Sequence, residues 1–228
     1  MKIVSFSLWG DDPKYTLGAV RNAEMRKDYY PDWVARFYCG QSVPEDIVNR
    51  LREIEGTEVI MMNESENKWA ASFWRFLSAD GEDIVISRDT DSRFTQREVD
   101  AVESWLSSDK DFHVMRDHPY HGIEIMAGMW GCRNGIIKGI RELIKDYENE
   151  DSWKCDEFPH CQVDQKFLRE HIWPKVIENT CTHDDFFAKV PFPSPRKFRE
   201  FVGQAFNGDN TECEPQHGDM VIPNERNI

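Results

Sequence analysis

The densest chemistry in this sequence lies in one string, Ile84-Val85-Ile86-Ser87-Arg88-Asp89-Thr90-Asp91-Ser92-Arg93. Residues two apart in an extended segment point the same way, so Asp89 and Asp91 aim two carboxylates into one place while Thr90 faces away. Two like charges at the end of a buried strand are costly without a cation between them. Hard carboxylate oxygens suit Mg2+ or Mn2+. An ion so placed bridges diphosphate oxygens and stabilises the charge that grows as a nucleotide departs. Arg88 and Arg93 belong to the same picture, as bidentate partners of phosphate or of the aspartates themselves. Read as a calcium loop starting at Asp89, the string puts Arg93 and Phe94 where a ligand and a glycine are required, so that reading fails.

A second group of ligand types is Cys155, His160, Cys161, Cys181 and His183, which has enough donors for a zinc ion but matches no standard finger spacing. The 6 cysteines form no CxxC, and reduced thiols are the expectation.

The elements that must position the aspartates follow from the apolar pattern. Residues 2–8 form an apolar, β-branched run that breaks at Gly10-Asp11-Asp12-Pro13. Helical spacing over 16–27, a strand at 34–39, a helix opened by Ser42-Val43-Pro44-Glu45, a strand at 57–62, a helix over 69–77 and a strand at 83–87 follow in order. This alternation predicts an α/β fold: a single domain with a mixed, mostly parallel sheet flanked by helices. Ligands of such sheets bind beyond the carboxyl ends of the strands, which singles out residues 9–15 and 88–93. Further along, Thr95-Gln96-Arg97-Glu98 starts another helix, 112–115 reads as a fifth strand, 135–147 as an amphipathic helix, and Asp164 as a helix cap. After Pro191 the chain reads as wrapping loop or disorder.

With 28 basic and 42 acidic residues the net charge is −14, which opposes binding to nucleic acid or anionic membrane. A hydrophobic content of 39% and an aromatic content of 12% support a packed core. No run is long enough to span a bilayer, and no secretory pattern follows Met1, so the expected location is the cytoplasm, the host's for a viral chain.

Taken together these residues resemble a GT-A-fold, DxD-containing glycosyltransferase. The likeness is to small uncharacterised glycosyltransferase-like proteins of bacteria and large DNA viruses, in which strings like Tyr38-Cys39-Gly40-Gln41-Ser42-Val43-Pro44, Arg88-Asp89-Thr90-Asp91-Ser92-Arg93 and Met115-Arg116-Asp117-His118-Pro119 recur. The resemblance implies a domain over 1–205, with a nucleotide-binding half at 1–93 and an acceptor-side half at 94–205, and a tail at 206–228. It implies that Asp89 lies by the ribose and metal, and that Asp91 is the main ligand of Mn2+ or Mg2+. Ser7, Leu8 and Trp9 would hold the base, with Tyr15 stacked on it. Arg75, Arg88 and Thr90 would lie along the donor, and Trp130, in Gly128-Met129-Trp130-Gly131, by the sugar. His217 is the match for a third metal ligand, with His183 in competition. The partners implied are a nucleoside-diphosphate sugar, a UDP-sugar first, and a glycan, protein or small-molecule acceptor. If the anomeric centre inverts, a carboxylate must take the acceptor proton, and Asp164 is the candidate with Asp117 second. Two other classes stay open: a silent nucleotide- or glycan-binding module, and a metal-dependent phosphatase with Asp89 as nucleophile. Phosphatases of the haloacid-dehalogenase type, however, place DxD after the first strand.

Overall fold

Strand β1 (Lys2–Leu8) is buried on both faces, and its alternation divides the molecule. Val4, Phe6 and Leu8 enter one apolar cluster, while Ile3 joins another on the opposite side. Ser5 and Ser7 share the face of Ile3. Their hydroxyls are satisfied by a neighbouring 3-10 helix (Lys68–Asp80), through Ser78 Oγ at 3.0 Å and the Ser72 carbonyl at 3.4 Å.

In the computed structural model, residues 1–64, 68–81, 84–149 and 162–222 are described. Helix α1 (Pro13–Tyr29) runs longer than the spacing predicts. Pro13 suits the first helical turn, and Asp12 caps it by accepting from the Lys14 N–H at 2.9 Å. Strand β2 (Val34–Gly40), helix α2 (Glu45–Glu53), strand β3 (Thr57–Met62) and strand β4 (Ile84–Ser87) follow in the expected order, the 3-10 helix standing where a helix over 69–77 was predicted. Helix α2 is capped at Pro44 with no side-chain bond, because Ser42 Oγ accepts from the Gly10 N–H at 2.6 Å instead. Helix α3 (Gln96–Leu106) starts at Thr95, whose hydroxyl accepts from the Glu98 N–H at 3.1 Å.

Beyond strand β5 (Phe112–Arg116) the reading and the structure part. Strand β6 (Trp130–Cys132) stands where no element was predicted, and helix α4 (Ile140–Asn149) begins five residues late. Gly135 and Gly139 adopt φ of 80° and 66°, left-handed conformations that keep the helix from starting earlier. Asp80 then caps α4 from across the domain, accepting from the N–H groups of Ile140 at 2.8 Å and Arg141 at 3.1 Å. Asp164 lies in the first turn of helix α5 (Val163–Phe167) and is not its cap. A π turn (Leu168–Ile172) joins α5 to α6 (Trp173–Val176), and strand β7 (Thr180–Asp184) and helix α7 (Pro215–Met220) complete the chain.

The seven strands lie in the order β3-β2-β1-β4-β6-β5-β7. β6 runs antiparallel to both β4 and β5, and the other pairings are parallel. Helices α1, α2 and α3 cover one face with Ala19, Val20, Ile47, Leu51, Val102 and Trp105. The 3-10 helix, α4 and α5 cover the other with Phe73, Phe76, Ile144, Tyr147 and Phe167. Among the described residues, no helix is long and apolar enough to cross a membrane. The zinc reading falls partly on Cys155, His160 and Cys161, which lie outside the described residues.

Candidate active site

At the carboxyl ends of β1 and β4 the surface opens into a cavity of about 570 Å3. Ser7, Leu8, Trp9 and Tyr15 line one part of it, and Asp89, Thr90, Asp91, Arg75 and Asp164 another. Trp69 and Ser72 of the 3-10 helix and Gly203 and Ala205 of the C-terminal segment complete the wall.

The aspartates reach it on a turn and not on the extended segment that alternation predicts. The Asp89 carbonyl accepts from the Ser92 N–H at 3.3 Å and from Ser92 Oγ at 2.8 Å, so residues 89–92 fold back and Thr90 also lines the cavity. Two other elements and the residue that follows it hold this turn. Asn22 of α1 donates to the Thr90 and Ser92 carbonyls at 3.0 and 2.9 Å. Arg93 donates to the same carbonyls at 3.3 and 2.8 Å, so it serves the turn and not a phosphate. The Asp91 carbonyl accepts from the Phe206 N–H at 2.8 Å, beside a bridge between Ser92 and Ala205. Glycine is required at two points of close approach: a Cβ at position 18 would overlap the Thr90 carbonyl, and one at 128 would overlap Asp89 Oδ2.

Arg75 sits between two carboxylates. One guanidinium nitrogen pairs with Asp89 and the other with Asp164 Oδ2 at 2.7 Å, while the Arg75 backbone N–H is held by Ser7 Oγ at 2.9 Å. Ser7 therefore orients the clamp. Burial pushes the Asp164 carboxyl above the ordinary aspartate range, with Arg75 pulling it back and Asp89 adding to the rise. Burial, with Asp89 next to it, also raises Asp91. Lys14 answers Asp91 at 2.8 Å, its ammonium 5.0 Å from the Tyr15 ring. Burial pulls Lys14 down, but Asp91 lifts it above an ordinary lysine.

The donor set fits a hard divalent cation. Asp89 and Asp91 offer oxygen ligands on one turn, and Gly128 leaves open the space that the Asp89 carboxylate fills. The lining also includes Asp11, Asp12 and Asp164 against the single guanidinium of Arg75. An anionic ligand entering so acidic a cavity needs a cation with it.

Four expected site residues lie elsewhere. Arg88 is 2% exposed and turned into the core, its Nε 2.6 Å from Glu98 Oε1, where the Tyr30 hydroxyl also donates. It anchors the end of β4 and reaches no donor. Trp130 is a core residue stacked on Phe112 at 5.4 Å. Asp117, 0% exposed, accepts from Arg97 at 3.1 Å, from Arg196 and from the Val202 N–H at 3.0 Å. Its oxygens are consumed in this ion cluster, so it does not serve as a base at the cavity. His217 packs its ring against His118 and Tyr120, with Nδ1 2.8 Å from Glu214, and is not part of the cavity lining. Its competitor His183 lies on β7, 2.8 Å from His113. Sequence reasoning singled out residues 9–15 without giving Lys14 a role, and missed Asn22, Trp69, Gly203 and Ala205. Lys14 and Asn22 both stand on α1, and their partners in the turn, Asp91 for Lys14 and the Thr90 and Ser92 carbonyls for Asn22, are visible only after folding.

No protein-family model matches this chain, and no curated protein matches it in sequence. Solved structures do. The galactosyltransferase LgtC, in complex with donor and acceptor sugar analogues, aligns with a TM-score of 0.50 at 12% identity, over 99% of this chain and 98% of that one. The fold is that of the GT-A glycosyltransferases. The glycosyltransferase GlyE of Streptococcus pneumoniae aligns with a TM-score of 0.51 at 12% identity, over 80% of this chain and 46% of that one. The chain therefore spans about half the length of GlyE. Both likenesses concern the path of the backbone, and the side chains of the cavity stand on their own chemistry.

Proposed function

We propose that the protein transfers a sugar from a nucleoside-diphosphate sugar, a UDP-sugar being the first to test, to an acceptor hydroxyl. The observation that carries this reading is one cavity, at the carboxyl ends of β1 and β4, lined together by Asp89, Asp91, Arg75 and Asp164. Its fit with a fold whose solved neighbour LgtC holds donor and acceptor sugar analogues supports it.

Ser7, Leu8, Trp9 and Tyr15 give a half-apolar shelf of a size and polarity suited to a nucleobase. Asp89 and Asp91 would hold Mn2+ or Mg2+, which supplies positive charge for the departing diphosphate. Arg75 keeps the Asp89 and Asp164 carboxylates at fixed positions, so the sugar meets preorganised oxygens and pays little reorganisation. Asp164, raised above the usual aspartate range mainly by burial, is suited to hold a sugar hydroxyl or to accept the acceptor proton.

Thermal melting with UDP, GDP, CDP and ADP, each with and without Mn2+, tests the reading. A ligand at a hundred times its dissociation constant stabilises by about 2.7 kcal/mol, a Tm shift of a few degrees. The expected result is a shift with one diphosphate that needs Mn2+ and vanishes in Asp91→Asn. The matching donor sugar should then turn over with a glycan, protein or small acceptor. A metal-dependent shift without turnover would favour a silent binding module, and phosphate trapped on Asp89 a phosphatase. No shift with any of the four would overturn the assignment.

A further inference from the structure

We propose that His113, Cys181 and His183 form a second metal site, for Zn2+ or a similar borderline-soft ion, on the α3-covered face of the sheet and separate from the aspartate turn. β5 and β7 run parallel with His113 opposite Cys181 and Met115 opposite His183. Side chains two apart on a strand share a face, so Cys181 and His183 project beside each other. The register partner His113 projects to the same side, away from Phe112 and Val114, which enter the other core cluster. One donor atom from each of the three lies within 4.8 Å of the others. Among the described residues this is the one such group of histidine, cysteine and acidic side chains.

The donors are of the right kind and state. Imidazole nitrogen and thiolate sulfur are the usual ligands of zinc, and three protein ligands leave a fourth position for water. His113 Nε2 and His183 Nδ1 stand 2.8 Å apart. Burial, reinforced by the neighbouring His183, keeps His113 well below the ordinary histidine range, and burial brings His183 down to about 4. In the metal-free pair one of the two facing nitrogens donates to the other, so metal binding moves that proton to the ring's other nitrogen and frees both lone pairs. The His113 ring is fixed by stacking on Trp105, 5.3 Å between centroids and 11° between planes. Burial raises the Cys181 thiol, with Ser108 and Lys110 working the other way, so metal binding releases the thiol proton to solvent. Cys181 is only partly buried, which gives the ion an entry path. A metal here would tie the edge strand β7 to β5. From the end of β7 the chain departs toward the segment that walls the cavity.

The test uses the full chain, stripped with a chelator and titrated with Co2+. One equivalent should produce the near-ultraviolet thiolate-to-cobalt charge-transfer band, which Zn2+ then removes by displacement. Carboxylate-bound Co2+ at the aspartate turn gives no such band, so the result is independent of the glycosyltransferase reading. Cys181→Ser should abolish the band, and the double variant Cys155→Ser/Cys161→Ser should keep it. His183→Gln should weaken Co2+ binding about tenfold or more, which keeps the test decisive if Cys181→Ser does not fold. Absence of the band in the wild-type chain, its survival in Cys181→Ser, or unchanged affinity in His183→Gln would overturn the site and leave a histidine pair joined only by its hydrogen bond.

Discussion

At position 128 a hydrogen in place of a side chain decides where Asp89 can sit, because a Cβ there would overlap Asp89 Oδ2. In Gly128→Ala the carboxylate must swing away from the turn or the backbone must shift, at a cost of about 1–3 kcal/mol. We expect Mn2+-dependent nucleotide affinity to fall about tenfold or more, measured by calorimetry, with the circular-dichroism spectrum unchanged. Wild-type affinity in that variant would remove Asp89 from the binding site. Asp89 and Asp91 were singled out by residue type and placement after a strand, Arg75 and Asp164 only by a helix position and the family resemblance, and the structure brings all four to one cavity. Three of the four misplaced residues, Arg88, Asp117 and Trp130, share a cause. Each has the right type and neighbourhood, but its partner is set by the folded chain and stands on another element: Glu98 of α3 for Arg88, Arg196 for Asp117 and Phe112 of β5 for Trp130. Local sequence cannot tell a buried arginine that has found a glutamate from one waiting for a phosphate.

Elements legible in advance were those with long, regular apolar periods: β1 to β4, α1 to α3 and β5. β6 is three residues containing a glycine, and β7 reads Thr-Cys-Thr-His-Asp, too polar to signal a strand. Their placement depends on long-range pairing, which overrides propensity. The end of β7 carries its own stabilising device. Asp184 accepts from the N–H groups of Phe186, Phe187 and Ala188 at 2.9, 2.8 and 2.7 Å, and pairs with Arg116 at 2.7 Å. Burial works against the ionised form, but the three N–H groups and then Arg116 hold this carboxyl below the ordinary aspartate range. A depressed pKa contributes stability above the unfolded-state value, which is lost as the pH falls through the folded one. We expect Asp184→Asn to lower stability by about 1.5–3 kcal/mol at pH 7. The gap from wild type should close in acid as the wild-type carboxyl protonates. Denaturant titration of both chains across that range checks it, and a gap constant with pH would refute the account.

For the whole molecule, the cavity is a joint product of segments far apart in the chain. β1 supplies its floor, while Gly203 and Ala205 supply a wall, latched to the aspartate turn by the Phe206 N–H and the Ser92–Ala205 bridge. A chain ended after Val202 keeps all seven strands and the Val202 bond to Asp117, but loses that wall. We expect it to fold, by circular dichroism and cooperative melting, and to show no Mn2+-dependent nucleotide shift. A full shift in the truncated chain would show that the wall is dispensable.

That latch sets a schedule for synthesis. While the C-terminal segment is still inside the ribosome, the emerging β1–β4 half presents its aspartate turn without the cavity's last wall. On the proposed function a donor nucleotide would therefore not steady the growing chain, and the long-range β5–β7 pairing would form without its help. On the proposed function, ligand stabilisation would arrive only once residue 205 has left the ribosome, so a nucleotide would protect chains that have closed this wall and not those still lacking it.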